Sequence, residues 1–418
     1  MPGSMPLPPA SPKEEGFSEE RLGRIRPTLQ TYIDRGKVPN FVTLVARRGR
    51  LVHFDAQGYM DVAARTPVSH DTLFRLYSNT KPIAGVATMI LYEEGLLTLD
   101  DPISRFIPAL GNLRVRVPNQ PMLSEPARSE ITVRHCLTHT SGLATQAGAP
   151  LQYRTLHRDV LQDLGWLDAE PGEGEPYDPR RRVETLAKLP LNFHPGTAWE
   201  YHVGYPVMSA VLEIVSGMPL DRFFRERIFE PLGMHDTDFY VDESKLTRFP
   251  PSYVPRRDDQ DQWTLAVAEE AATSEKILGP KTFFGAGGDR GGVVSTAGDY
   301  ARFGQMLLNG GELDGVRILG RKSVELMTAN HTPGIVSPMT GPGVGFGMGV
   351  SVRTGEGALP ALRSIGSYGW GGAAGTTYLG DPKEELLCVC FTQVLRHRLI
   401  PGNEYGAEFE RLVYQALL

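Results

Sequence analysis

The chain predicts an α+β fold: an antiparallel sheet flanked by helices, with a mostly helical domain inserted between its two halves. Three observations point there. Near the N-terminus a helical pattern leads into two short strand-like runs around a turn. Near the C-terminus four strand-like runs, separated by short turns, precede a last helical pattern. Between them the apolar spacing is helical and the connections are long. Strands joined by short turns pair antiparallel, because parallel pairing needs a long crossover.

Each element has its own signal. Segment 18–36 places Leu22, Ile25, Leu29, Tyr32 and Ile33 at helical spacing, with Ser18 able to cap it and Pro27 arguing for a kink or break. A hairpin follows, Phe41–Ala46 and Leu51–Phe54 around Arg48-Gly49. Residues 82–94 carry Ile83, Val86, Ile90 and Leu91 on one helical face, with Gly95 as a stop. Segments 206–216, 219–229 and 299–309 also read as helices. Gly345–Val352, Leu362–Tyr368, Thr376–Leu379 and Leu386–Phe391 read as strands, and 404–417 as a terminal helix. The expected division is 18–75 with 290–418 as the sheet domain and 76–289 as the helical one, with the active site in the cleft between. Stretches 144–182 and 251–284 are long irregular excursions, and loops of that length are commonly lids or binding loops.

Composition narrows the class. With 418 residues, 41% hydrophobic and 22% charged, the chain is ordinary globular protein, long enough for about two or three domains. A net charge of -6 leaves no basic surplus for nucleic acid. No apolar run approaches the ~18 residues of a membrane helix. The first residues lack the basic and apolar regions of a signal peptide, which leaves open a leader removed upstream. The expectation is a soluble cytoplasmic protein acting on a small molecule, without nucleic acid or membrane. Cys136, Cys388 and Cys390 make no disulfide framework, and alternation puts the last two on one face of a strand, as buried apolar residues. No phosphate-binding loop, dinucleotide fingerprint or G-x-S-x-G elbow occurs, and no cofactor is expected. His135 and His139 lie four apart, a spacing two metal ligands can share, but no third ligand stands at a telling position; no metal is expected.

Three local features carry chemistry. Ser78-Asn79-Thr80-Lys81 sits at a helix start, so Lys81 falls on the serine's face and its long stem can return an amine to the hydroxyl. Trp199-Glu200-Tyr201-His202-Val203-Gly204-Tyr205 supplies a tyrosine able to act as a base where nearby positive charge favours its phenolate. Gly369-Trp370-Gly371-Gly372-Ala373-Ala374-Gly375 is a glycine-rich strand end where backbone can approach a ligand and aim an N–H at a developing oxyanion.

In this order, with the flanks Leu137–Leu143, Phe193–Thr197, Pro231–Met234 and Gly291–Asp299, these features resemble the serine β-lactamase-like superfamily, and within it the family VIII carboxylesterases, similar to class C β-lactamases. The resemblance runs over nearly the whole chain. It implies a β-lactamase-like fold, with Ser78 as nucleophile, Lys81 and Tyr201 sharing acid and base duties, and the backbone N–H groups of Ser78 and Ala373 as the oxyanion hole. Val203 stands where the β-lactamases have an amide-binding asparagine, and Trp370 where they have a basic residue. His202 stands where serine is common. Both apolar replacements remove polar recognition of a β-lactam or peptide, so Trp370, Gly371, Gly372, Val203 and His202 are expected to face a neutral ester. The expected activity is hydrolysis of short- to medium-chain carboxylic esters through an acyl-enzyme. The same fold also serves β-lactamases, D-amino-acid peptidases and acyltransferases, and a catalytically dead binding domain is the reading from another class.

Overall fold

The computed structural model describes residues 5–118, 120–143, 179–201, 203–274, 276, 292–355, 357 and 361–418. Its centre is an eight-stranded antiparallel sheet. From edge to edge run Val344–Phe346, Ser351–Arg353, Tyr368–Gly371, Thr377–Asp381, Leu386–Phe391, Asn40–Arg47, Arg50–Asp61 and Thr66–Pro67. The chain's two ends meet at its middle, where Val42 pairs with Phe391 and Arg47 with Leu386.

Leu386–Phe391 is apolar throughout because both its faces are covered. Leu387, Val389 and Phe391 belong to the main core with Phe303 and Leu307 of the helix Ala297–Leu308. Leu386, Cys388 and Cys390 turn the other way, into a second core with Leu29 and with Phe409 and Val413 of the terminal helix Tyr405–Ala416. Cys388 and Cys390 therefore share a face, and both are free, buried thiols. Such a two-sided strand reads as a continuous hydrophobic run.

The N-terminal helical pattern divides in two. Ser18 Oγ caps Glu19–Leu22, accepting from Arg21 N–H at 3.3 Å, and a second helix spans Ile25–Asp34. The break falls at Gly23-Arg24. Pro27 is the third residue of the second helix, in the first turn, where its missing N–H has no partner to lose.

Three other expectations change. Gly345–Val352 is two short strands, not one: Gly349 takes φ 89°, and a Cβ there would lie 2.4 Å from Lys81 O. The chain reverses at that point to make room for the helix Thr80–Glu93. Of Leu362–Tyr368 only Tyr368 enters a strand; Gly366 turns at φ 88° and Leu362 and Ile365 are exposed, so nothing enforces alternation. Segment 219–229 is helical over Leu220–Phe224 and then widens into a π turn over Arg225–Phe229. Two hairpins lie outside the sequence expectation: Arg114–Val117 with Gln120–Pro126, and Ser252–Arg257 with Trp263–Glu269. The second takes up much of the 251–284 excursion. Most of 144–182, from 144 to 178, lies outside the described residues. Among the described residues no helix is long and apolar enough to cross a membrane.

Candidate active site

Ser78 stands in a 3-10 turn, Tyr77–Asn79, that runs into Thr80–Glu93. The helix is buried on nearly every side, so the turn is fixed by the body of the protein. Leu76 N–H donates to Val293 O at 2.8 Å, Thr376 Oγ1 donates to Leu76 O at 3.2 Å, and Asn79 Nδ2 donates to Thr376 Oγ1 at 3.1 Å. Tyr300 Oη closes the set by donating to Asn79 O at 2.8 Å. Between these anchors Tyr77 holds φ 47°, a left-handed conformation that costs a bulky residue about 1–3 kcal/mol and survives only where its surroundings enforce it.

Lys81 lies one turn on and is 0% exposed. Its Nζ reaches Ser78 Oγ at 3.0 Å. It also sits over two aromatic faces, 4.6 Å from the Tyr201 ring centre and 5.2 Å from that of Tyr205. Burial pushes the Tyr205 phenol well up, with Tyr201 beside it adding to the effect, and Tyr205 Oη donates to Leu137 O at 3.0 Å.

Tyr201 approaches from the second motif. Glu200 N–H donates to His139 O at 2.8 Å, holding the preceding residue, and the Tyr201 ring packs against His139 at 4.6 Å and Trp199 at 5.8 Å. Its Oη lies 2.7 Å from Ser78 Oγ, a separation that serves proton transfer in either direction. Trp370, on the strand Tyr368–Gly371, donates its indole N–H to the same Tyr201 Oη at 3.2 Å. Phe346 meets the Trp370 ring edge-on at 5.0 Å.

Gly371 and Gly372 run alongside the Ser78 turn. A Cβ on Gly372 would sit 2.2 Å from Leu76 O, so only glycine permits the approach. Gly372 N–H donates to Thr376 O and Gly375 N–H to Gly372 O, tightening the turn that leaves Ala373 exposed.

The remaining expectations fare differently. Val203 starts the helix Gly204–Ser216 and is 1% exposed within the main core, so its side chain offers almost no surface to a ligand; it backs the wall. His202 lies outside the described residues. His135 serves a capping box with Thr132 at the helix Val133–Leu137, and His139, just beyond it at φ 63°, joins the aromatic wall. Among the described residues no group of three or more His, Cys, Asp or Glu is placed to hold a metal. Phe346, Trp199 and Tyr205 were missed as site residues. Trp199 and Tyr205 flank the second motif in sequence. Phe346 came with no local signal beyond its strand pattern.

The beta-lactamase family profile matches residues 25–406. An uncharacterised protein of Mycobacterium tuberculosis (strain CDC 1551 / Oshkosh) is 33% identical over 381 residues, 88% of each chain. Esterase EstB of Burkholderia gladioli is 29% identical over 352 residues, covering 81% of this chain and 82% of its own. The solved structure of EstCE1, described as a hydrolase with promiscuous acyltransferase activity, superposes with a TM-score of 0.74 at 28% identity, over 94% of this chain and 99% of that one. With the profile spanning most of its length and the serine, lysine and tyrosine converging on one oxygen, the chain belongs to the beta-lactamase family and is a serine hydrolase.

Proposed function

We propose that this protein is a carboxylesterase that hydrolyses neutral short- to medium-chain esters through an acyl-enzyme on Ser78. One observation carries the reading: Ser78 Oγ receives Lys81 Nζ at 3.0 Å and Tyr201 Oη at 2.7 Å, while the position that would hold a substrate-binding cation is occupied by Trp370. A hydroxyl becomes a useful nucleophile when a base stands within hydrogen-bond reach, and here two candidate bases do.

The geometry supports the following reaction. Ser78 Oγ attacks the ester carbonyl carbon as its proton passes to the Tyr201–Lys81 pair. The carbonyl π electrons move onto oxygen, and the N–H groups of Ser78 and Ala373 are the donors offered to that oxyanion. Collapse breaks the carbon–alkoxy bond, and Tyr201 gives the alkoxide its proton. Water then attacks the acyl-enzyme, the same pair taking its proton, and Ser78 leaves protonated as the acid departs. Acid–base transfer of this kind contributes ~10²–10⁴-fold, and one oxyanion donor ~10²–10³-fold.

Two features support a neutral substrate. Trp370 presents an indole where a cation would bind a carboxylate, and its N–H is committed to Tyr201. EstB and EstCE1 are named as an esterase and a hydrolase. An alcohol in place of water would make the same acyl-enzyme a transferase, and EstCE1 is described as a hydrolase with promiscuous acyltransferase activity.

The test is a panel of p-nitrophenyl esters of graded acyl length beside a cephalosporin and an alcohol acceptor. Preferred turnover of the short and medium esters is expected. Ser78→Ala should abolish it, and a fluorophosphonate should label Ser78. Full activity in Ser78→Ala, or a cephalosporin turned over faster than every ester, would overturn the reading.

A further inference from the structure

Arg75 lies three residues before the nucleophile and is 0% exposed, a buried cation with no part in the proton transfers above. Its guanidinium stacks 3.9 Å from the centre of the Phe249 ring, and Nη1 donates to Pro250 O at 2.9 Å. The counter-charge comes from the 252–269 hairpin: Glu269 Oε2 lies 3.1 Å from Arg75 Nε. Glu269 faces Ser252 across that hairpin, whose other strand is tied to the end of the central sheet. Tyr253 N–H donates to Gln393 O at 3.1 Å and Leu395 N–H to Tyr253 O at 2.8 Å, while Gln393 Oε1 accepts from Arg75 N–H at 2.8 Å. Tyr77, left-handed at φ 47° and next to Ser78, feels the same pair: burial pushes its phenol up, Arg75 opposes this and Glu269 adds to it.

The turn carrying Ser78 is thus gripped from two sides. Leu76, Asn79 and Thr80 are held by Thr376, Tyr300 and Val293 of the sheet domain's C-terminal half. Arg75, and through it the approach to the strained Tyr77, is held by the 249–269 segment. A buried guanidinium without its carboxylate must find another partner or shift, because an unpaired buried charge is strongly disfavoured. Any such shift passes along three peptide units to Ser78.

We propose that Glu269 is a positioning residue: its ion pair with Arg75 makes the 252–269 hairpin a clamp that holds Tyr77 left-handed and Ser78 Oγ in reach of Lys81 and Tyr201. The inference rests on Ser78 being the nucleophile, as in the proposed function. It gives the hairpin a part in attack and not in substrate binding.

The experiment compares fluorophosphonate labelling rates at Ser78, ester kinetics and thermal melts for the full chain and for Glu269→Gln and Glu269→Asp. Glu410→Gln serves as a control; that residue is paired with Arg363 at 3.6 Å on the terminal helix, away from the site. Glu269→Gln should lower the labelling rate and kcat about tenfold, as small misplacements of a nucleophile do, with KM held within about twofold. Glu269→Asp should recover part of the rate. A wild-type labelling rate in Glu269→Gln overturns the proposal, as does a loss no larger than that of Glu410→Gln at an equal drop in Tm. Should Glu269→Gln fail to fold, Glu269→Asp decides, and an unchanged rate there overturns it. Labelling of the wild-type protein at Ser78 without ester turnover would sink the esterase reading and leave this comparison standing.

Discussion

Trp370 does two jobs at the residue scale. Replacement of a basic residue by tryptophan in the third motif suggested only an apolar contact for substrate. The structure adds a hydrogen bond from the indole N–H to Tyr201 Oη at 3.2 Å, a donor aimed at the oxygen that, in the proposed mechanism, gains negative charge as Tyr201 gives its proton to the leaving alkoxide. Hydrogen bonds to charged groups contribute about 1.5–3 kcal/mol. Trp370→Phe, which keeps the ring and removes the donor, is therefore expected to lower kcat about tenfold or more with little change in KM for a short ester. Equal kcat for the two proteins would show that the bond does not serve the transition state. Tyr201→Phe and Lys81→Ala should each cost at least ~10²-fold in kcat/KM, measured on the same ester with the melt unchanged. Ser78, Lys81 and Tyr201 were legible because each is carried by a short motif. The Trp370 contact was not, because it depends on where an indole points between residues 169 positions apart.

Close approach is what shapes the elements around the site. Gly372 lets the strand end lie against the nucleophile turn, and a methyl there would meet Leu76 O at 2.2 Å. Overpacking of this kind costs about 1–3 kcal/mol. Gly372→Ala should lower the Tm and cut ester turnover more than it weakens binding, since the displaced backbone carries the Ala373 N–H; denaturation melts and a kcat–KM comparison read both. A variant with wild-type kcat would show that the strand end can move without disturbing the oxyanion donors. Gly349 explains in the same way why a run that alternates like one strand folds as two. Period-2 patterning reports which residues are apolar, and it carries no information on a helix passing at that point. Leu386–Phe391 was legible residue for residue because burial on both faces leaves an unbroken apolar run. The hairpin Ser252–Glu269 was not, since it is half-exposed and its hold on the body runs through backbone bonds to Gln393 and Leu395 and the charge on Arg75.

Over the whole molecule, buried ionisable groups tie stability to pH in opposite directions. Burial raises Asp299 to about 6 from 3.8, with the Asp236 N–H and the Thr237 hydroxyl it accepts from pulling the other way. A folded state that keeps a proton the unfolded chain has released loses stability as pH rises from about 4 to about 6, and the loss is complete above that. Burial holds His53 and His397 near 4, which works in the opposite sense, stability from them rising as pH climbs from about 4 to 6.5. The net slope mixes the two, so the difference between proteins is the useful quantity. Asp299→Asn keeps an acceptor for Asp236 and Thr237 and removes the titration. Relative to wild type it should gain about 2–3 kcal/mol between pH 4 and pH 7, at about 1.4 kcal/mol per pKa unit, by urea denaturation. A pH-independent difference would show that Asp299 does not titrate in the folded protein. What the sequence determined by itself was the class of fold, the central strands and the three candidate catalytic side chains, because hydrophobic period and short motifs are local properties of a chain. What only the tertiary structure decided was the indole donor on Tyr201, the glycine contacts that seat the Ser78 turn and the pairing of the buried Arg75 with Glu269 beneath it, because each joins residues far apart in sequence through a distance or a direction that no local pattern encodes.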